Sequence, residues 1–265
     1  MALNPFEKFG IKEVADVVFY SLDAKGDKER PVLYLDSLKV STIEQTAENV
    51  SARGGKGNAE LVTGDYNKEI NVTLEDALYS MKSMGVMFGD NIDTTADTKS
   101  TYYKTVYYTA KEAKETIDAS VLDALGIFGK LNGKQLKING TDFKVYDANG
   151  IGTSTVSSFV EGSQYFISAA LKTEDGTFGP RGTVEISPDT FPGIYYIQGE
   201  TYGRSEASGQ DELFIFVINK AKVLSEVTLT LEAEGDPSTF NLNLKVLRPA
   251  GNKPMMELIQ YGKNA

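Results

Sequence analysis

Two segments late in the chain constrain the fold most. In TFNLNLKVLR, Phe240, Leu242, Leu244 and Val246 recur at every second position, and in SEVTLTLEAEG, Val227, Leu229 and Leu231 do the same. Gly235-Asp236-Pro237 separates them as a turn. A period of two puts all the apolar side chains of a strand on one face, so both read as half-buried antiparallel strands. QYFISAALK, GTVEIS, GIYYIQGETYG and DELFIFVINKA precede them at regular intervals. This succession predicts a mainly β chain, an antiparallel sandwich or barrel.

The first half extends the pattern. Residues 11–22 and 31–40 are rich in β-branched and aromatic residues, and DAKGDKER between them reads as a hairpin turn. Residues 41–59 (STIEQTAENVSARGGKGNA) are polar and glycine-rich without a sustained period, and are expected to form a long loop. ELVTGDY and KEINVTL then suggest a second hairpin turning near Gly64–Lys68. Thr73-Leu74-Glu75-Asp76 resembles a capping box, which predicts one short helix over 74–88 with Met81, Met84 and Met87 filling gaps in the core. A second helix is expected over 111–125, ending at Gly126. Asn139-Gly140 between alternating segments is the strongest short hairpin signal. The small polar stretch 148–162 is the best candidate for a boundary.

Composition narrows the chemistry. Among 265 residues there is no histidine, cysteine or tryptophan. That removes the usual neutral-pH general base, the Ser-His-Asp and Cys-His nucleophiles, zinc sites built from Cys and His, and any disulfide framework. The net charge of −10 disfavours gripping nucleic acid. No basic, apolar leader opens the sequence and no run approaches the length of a membrane span, so a soluble protein made in the cytoplasm is expected.

Other motifs carry little. Gly54-Gly55-Lys56-Gly57 fails as a phosphate loop, because Val50 stands at the first glycine position and Gly57 where a hydroxyl must be. Asp90, Asp93 and Asp97 lack calcium-loop spacing. Carboxylate pairs such as Glu75-Asp76 and Asp211-Glu212 fit solvated faces better than a glycosidase cleft, which would need sugar-stacking platforms. The 14 tyrosines suit either interfaces or β packing. No catalytic residue, metal ligand or cofactor is expected, and the chain reads as a non-enzyme. Residues 200–236 hold eight acidic residues against three basic, half of the net charge, which suggests an acidic face.

The order hairpin, glycine-rich loop, hairpin, helix and further strands resembles the tail-tube (major tail) proteins of tailed bacteriophages. The resemblance is carried by PVLYLDSLKVSTIEQTAENVSARGGKGNAELVTGDYNKEINVTLEDAL at 31–78, GIYYIQGETYGRS at 193–205 and VTLTLEAEGDPSTFNLNLKVLRP at 227–249. It implies a structural virion subunit, made in the bacterial cytoplasm and placed in the tail. Its copies would form hexameric rings whose inner strands join into one barrel, and the rings would stack. Implied partners are the chain itself and virion proteins such as the tape measure, tail terminator, baseplate and sheath. DNA would be only non-specific passing cargo, with no membrane involved. The acidic lumen expected of such a tube would be lined by Glu226, Glu232, Glu234 and Asp236.

The same resemblance divides the chain into a tube-like core over 1–110, a helix-plus-β insertion or decorating element over 111–192, and completing strands over 193–265. The expected subunit contact is the tip of the long loop: Ala52, Arg53, Gly54, Gly55, Lys56, Gly57 and Asn58. A polar loop of this length cannot bury its backbone in its own core, whereas a neighbouring subunit can satisfy it. Alternative readings are a capsid decoration, connector or baseplate protein, a carbohydrate-binding or adhesin module, and a carboxylate-based hydrolase.

Overall fold

The computed structural model describes residues 8–90, 102–147, 156–176, 182–228 and 239–261. The chain runs β1 (Phe9–Ile11), β2 (Asp16–Leu22), β3 (Lys28–Leu35), β4 (Leu38–Gly54), β5 (Ala59–Asp76) and α1 (Met81–Phe88). It continues with β6 (Tyr102–Thr109), α2 (Ala119–Ala124), β7 (Lys130–Leu131), β8 (Lys134–Asp147) and β9 (Gln164–Thr173). The last strands are β10 (Ile194–Ser205), β11 (Asp211–Val223), β12 (Phe240–Val246) and β13 (Met256–Tyr261). Two compact units result: a body made of 1–92 with 183–265, and an insert, 93–182. Every strand pairing is antiparallel.

The body is one nine-stranded sheet in the order β3-β2-β10-β11-β12-β5-β4, with β1 on β10 and β13 on β11. Leu33 and Leu35 of β3 share a single core with Val72 and Leu74 of β5, although four strands lie between them in that order. At ~4.8 Å per strand a flat sheet would hold them more than ~20 Å apart. The sheet therefore folds over on itself, and the body is a β-sandwich closed around Phe19, Ile197, Ile218, Phe240 and Leu242. β10 shows the alternation that builds this core, with Ile197, Gly199, Thr201, Gly203 and Ser205 buried. Gly199 is required there: its partner across the strand is Phe216, and a Cβ would stand 2.1 Å from that ring.

Between β5 and β10 the body carries α1. The helix starts at Met81, not at the Thr73 capping box. Ser80 is the cap: its Oγ accepts from the Ser83 amide at 2.9 Å, and Ser83 Oγ accepts from the Ser80 amide at 3.0 Å. Thr73–Asp76 instead continue β5, because pairing with β12 buries Leu74 and Asp76 while the supposed helix partner Leu78 is exposed. Gly89 ends the helix with φ 80° and sits against the Phe191 carbonyl, where a Cβ would come within 2.3 Å of the oxygen.

The insert is a four-stranded sheet, β6-β9-β8-β7, over its own core of Leu122, Phe128, Leu136, Val145, Phe159 and Ile167. β6, placed with residues 1–110 by the sequence reading, pairs along its whole length with β9 of the insert. The second helix is shorter than expected. Asp118 caps α2 by accepting from Val121 N at 2.9 Å, whereas Lys114 bridges to Phe159. Gly126 follows the helix with φ 64°. Asn139-Gly140 makes no hairpin: both flanks belong to β8 and pair with β9, Ile138 opposite Leu171 and Phe143 opposite Ala169, so 139–142 bulge from a single strand. The apolar run of β9 recruits both flanks at once, and this tertiary pairing overrides the local turn signal.

Four further expectations need correction. Residues 41–59 are not a loop: they are the outer part of β4, a four-residue turn at 55–58 and the start of β5. No hairpin turns at Gly64–Lys68, since Gly64 pairs with Val50 inside one continuous β5, whose only irregularity there is a bulge at Asn67 with φ 52°. GTVEIS forms no strand, and β11 ends at Val223, leaving Val227 outside any strand. Residues 229–238, with Glu232, Glu234 and Asp236, lie outside the described residues.

Candidate functional site

β12 pairs with β5 only over Asn71–Asp76. Beyond that point β4 and β5 pair, among the described residues, only with each other, and they run on as a two-stranded ribbon from about Glu44 to Glu69. About 11 residues per strand at ~3.3 Å each make a projection of roughly 36 Å. Nearly every residue of it is exposed. Among the described residues the outer edge of β4 has no partner strand anywhere, and β5 has none on its other side before Asn71.

The ribbon is amphipathic. On one side Ser51 stands opposite Thr63 and Arg53 opposite Glu60. There Ser51 Oγ and Thr63 Oγ1 are 3.4 Å apart, Arg53 Nη2 lies 3.4 Å from Glu60 Oε2, and Thr63 hydrogen-bonds to Glu60. Alternation places Val50, Ala52, Val62 and Tyr66 on the opposite side. Leu61, the extra residue of a bulge, leans over Gly54. Val50 (62% exposed), Leu61 (64%), Val62 (66%) and Tyr66 (52%) thus form an apolar stripe in water. Lysine 245 of β12 anchors the base, its Nζ 2.9 Å from Glu69 Oε1. Hydrogen bonds from Asn67 and Tyr66 hold the Glu48 carboxyl below its ordinary pKa, and those from Thr63 and Ser51 do the same for Glu60.

The structure therefore gathers all seven predicted contact residues at one place, the ribbon tip: Ala52, Arg53 and Gly54 end β4, and Gly55, Lys56, Gly57 and Asn58 make the turn. The tip closes with Asn58 N donating to Gly55 O, and Gly55, Gly57 and Asn58 all take positive φ. Sequence reasoning missed the stripe. Its signal was the short alternation Val50-Ala52 and Val62-Gly64-Tyr66, hidden among polar neighbours. Of the acidic candidates, Glu226 is exposed just beyond β11. The acidic stretch is not one face: Glu212 is buried and accepts from Gln260, while Asp211 pairs with Lys12 at 2.9 Å. The charge is nonetheless uneven, since the body carries 26 acidic against 17 basic residues and the insert 11 against 10.

Next to the ribbon base the body has a groove of about 290 Å³. Ile11, Val14, Val40, Ile43 and Phe214 line it. Ser41 lines it too, and its Oγ is buried without a hydrogen-bond partner among the described residues. The insert holds a second hollow of about 270 Å³ bounded by Tyr108, Lys111, Lys114, Leu125 and Phe159. Among the described residues no group of three or more Asp or Glu side chains is placed to hold a metal, and no helix is long and apolar enough to cross a membrane.

The projecting two-stranded ribbon on the β-sandwich body thus carries an exposed apolar stripe and, among the described residues, unpaired strand edges of the kind that invite pairing. No curated protein matches the chain. The YomU/Tube protein family matches over residues 9–258, nearly the whole length and both units. The tail-tube resemblance read from residues 31–78, 193–205 and 227–249 falls within that span, and the chain belongs to the YomU/Tube protein family.

Proposed function

We propose that this chain is the non-enzymatic subunit of a phage tail tube, and that copies join through the ribbon into rings that stack with an acidic lumen for DNA. The observation that carries this reading is the ribbon itself: long, apolar on one side and, among the described residues, open at both edges, in a chain of the tube family. Assembly supplies what the single chain lacks. Neighbouring copies cover the stripe and pair the edges, each a gain that water offers only weakly. The ends of the body sheet, β3 and β4, give further backbone donors and acceptors for merging inner strands. The concentration of acid in the body supports a lumen that repels a passing duplex. Hexameric symmetry, the virion partners and the location in the tail follow from the tube reading and stand or fall with it.

The test is negative-stain microscopy and sedimentation of the full chain beside a variant lacking Ala52–Asn58. The full chain forms rings or tubes, and the variant remains a folded, soluble monomer by circular dichroism. A variant that assembles like the full chain overturns the reading.

A further inference from the structure

The proposed function says that the ribbon joins subunits but not what receives it. We propose that the receiving site is the apolar groove of Ile11, Val14, Val40, Ile43 and Phe214, and that its occupant is the ribbon stripe of a second copy of this chain. The inference rests on the ribbon being a subunit contact.

Four observations point to the groove. Its rim residues Ile11, Val14, Val40 and Ile43 are between 38% and 61% exposed, an apolar patch matching the apolar stripe of Val50, Leu61, Val62 and Tyr66. Its volume of about 290 Å³ suits a few aliphatic side chains. Ser41 Oγ is the one buried side-chain polar atom without a partner among the described residues, and it lies in this groove. Rotation about its Cα–Cβ bond turns the hydroxyl toward the groove, where a group arriving from outside can satisfy it. The Tyr66 hydroxyl of the stripe is suited to this, because a phenol oxygen can accept from Ser41. Charge is compatible as well: of the two charged residues that line the groove, Glu13 pairs with Lys12 at 3.6 Å, while Lys39 has no acidic group within ion-pair distance among the described residues, and Glu48 stands beside the stripe on the ribbon.

Geometry sets the occupant as a second copy. The groove lies at the base of the ribbon, since Val40 and Ile43 are the residues from which it leaves the body. A continuously paired ribbon roughly 36 Å long cannot return its outer half to its own root. Ribbon and groove are different surfaces, so each copy gives one and receives one. Such a heterologous contact propagates or closes into a ring, as a tube subunit requires.

The chain lacks cysteine, so introduced thiols report without background. Val62→Cys on one copy and Ile11→Cys on another, mixed and oxidised, yield a covalent dimer; Val62→Cys with Leu78→Cys, an exposed site away from the groove, does not. A second measurement uses Ile11→Asp, which leaves an exposed position folded but spoils the groove. Alone it fails to assemble. Mixed with the Ala52–Asn58 deletion, it gives a one-to-one dimer by sedimentation, because its intact ribbon enters the other variant's intact groove. Absence of the covalent dimer, or normal assembly by Ile11→Asp while the deletion stays monomeric, overturns the groove and leaves the ribbon reading intact. A cyclised monomer from Val62→Cys and Ile11→Cys on one chain also overturns it. Assembly by the deletion variant itself overturns both.

Discussion

The two halves of β5 belong to one strand and obey different rules. From Glu69 to Asp76 every second side chain is buried, and Ile70, Val72 and Leu74 enter the body core. From Ala59 to Lys68 nothing is buried, although the pairing with β4 continues in the same register apart from two bulges. Hydrogen bonding is shared by the halves, whereas burial is not. Alternation in sequence is therefore a record of burial on one face rather than of strand formation. The outer half holds its shape through a cross-strand set of Ser51, Thr63, Arg53 and Glu60 in place of a core.

Hydrogen exchange gives the largest contrast. In dilute monomer the paired amides of 59–68 exchange at least ~10³-fold faster than those of 70–76, because ribbon opening needs no disruption of the core. On assembly the outer amides gain protection and the inner ones change little. Equal protection of both halves in the monomer would show that the ribbon is held by something other than a neighbour.

Truncation probes the same difference through packing. Leu74→Ala removes a wholly buried side chain and lowers the unfolding free energy by about 2–5 kcal/mol in urea melts. Val62→Ala lies within ~0.5 kcal/mol of the parent, yet it weakens assembly. A Val62→Ala monomer as unstable as Leu74→Ala would mean that the stripe is already packed in the single chain.

Acid has the smallest effect. Glu48 and Glu60 have folded pKa values depressed by hydrogen bonds, first from Asn67 and Thr63 respectively. Their contribution to the ribbon is complete above the ordinary glutamate value of ~4.3 and is lost as the pH falls through the depressed values. Carboxyl titration by nuclear magnetic resonance finds both groups below the ordinary value, with cross-strand contacts of the ribbon fading in the same range while those of 70–76 persist. Ordinary titration of Glu48 and Glu60 would remove these carboxylates from the account of ribbon order.

Where a side chain's neighbours lie close in sequence or its burial is regular, the residues alone were informative. Phe240, Leu242, Leu244 and Val246 form β12 as read, all buried, and the mainly β antiparallel class follows from such segments. Lack of histidine and cysteine likewise set aside whole classes of chemistry without any coordinates. The exposure of Ala52–Asn58 was legible, because a run of small and polar residues brings little apolar surface to a core.

Tertiary structure alone decided the rest. Polar residues 41–54 form a strand because β5 lies beside them, and an exposed strand leaves no periodic trace. The Thr73 capping box lost to β12, and Asn139-Gly140 lost to β9, since a long-range ladder with a buried face outweighs a local preference worth about 1 kcal/mol. The groove brings Ile11 and Val14 together with Ser41 and Phe214, up to 203 residues apart, through the pairing of β1 with β10 and the folding of one sheet over its core. No short-range pattern encodes such a meeting, because it is produced by the closure of the whole body rather than by the residues that line it.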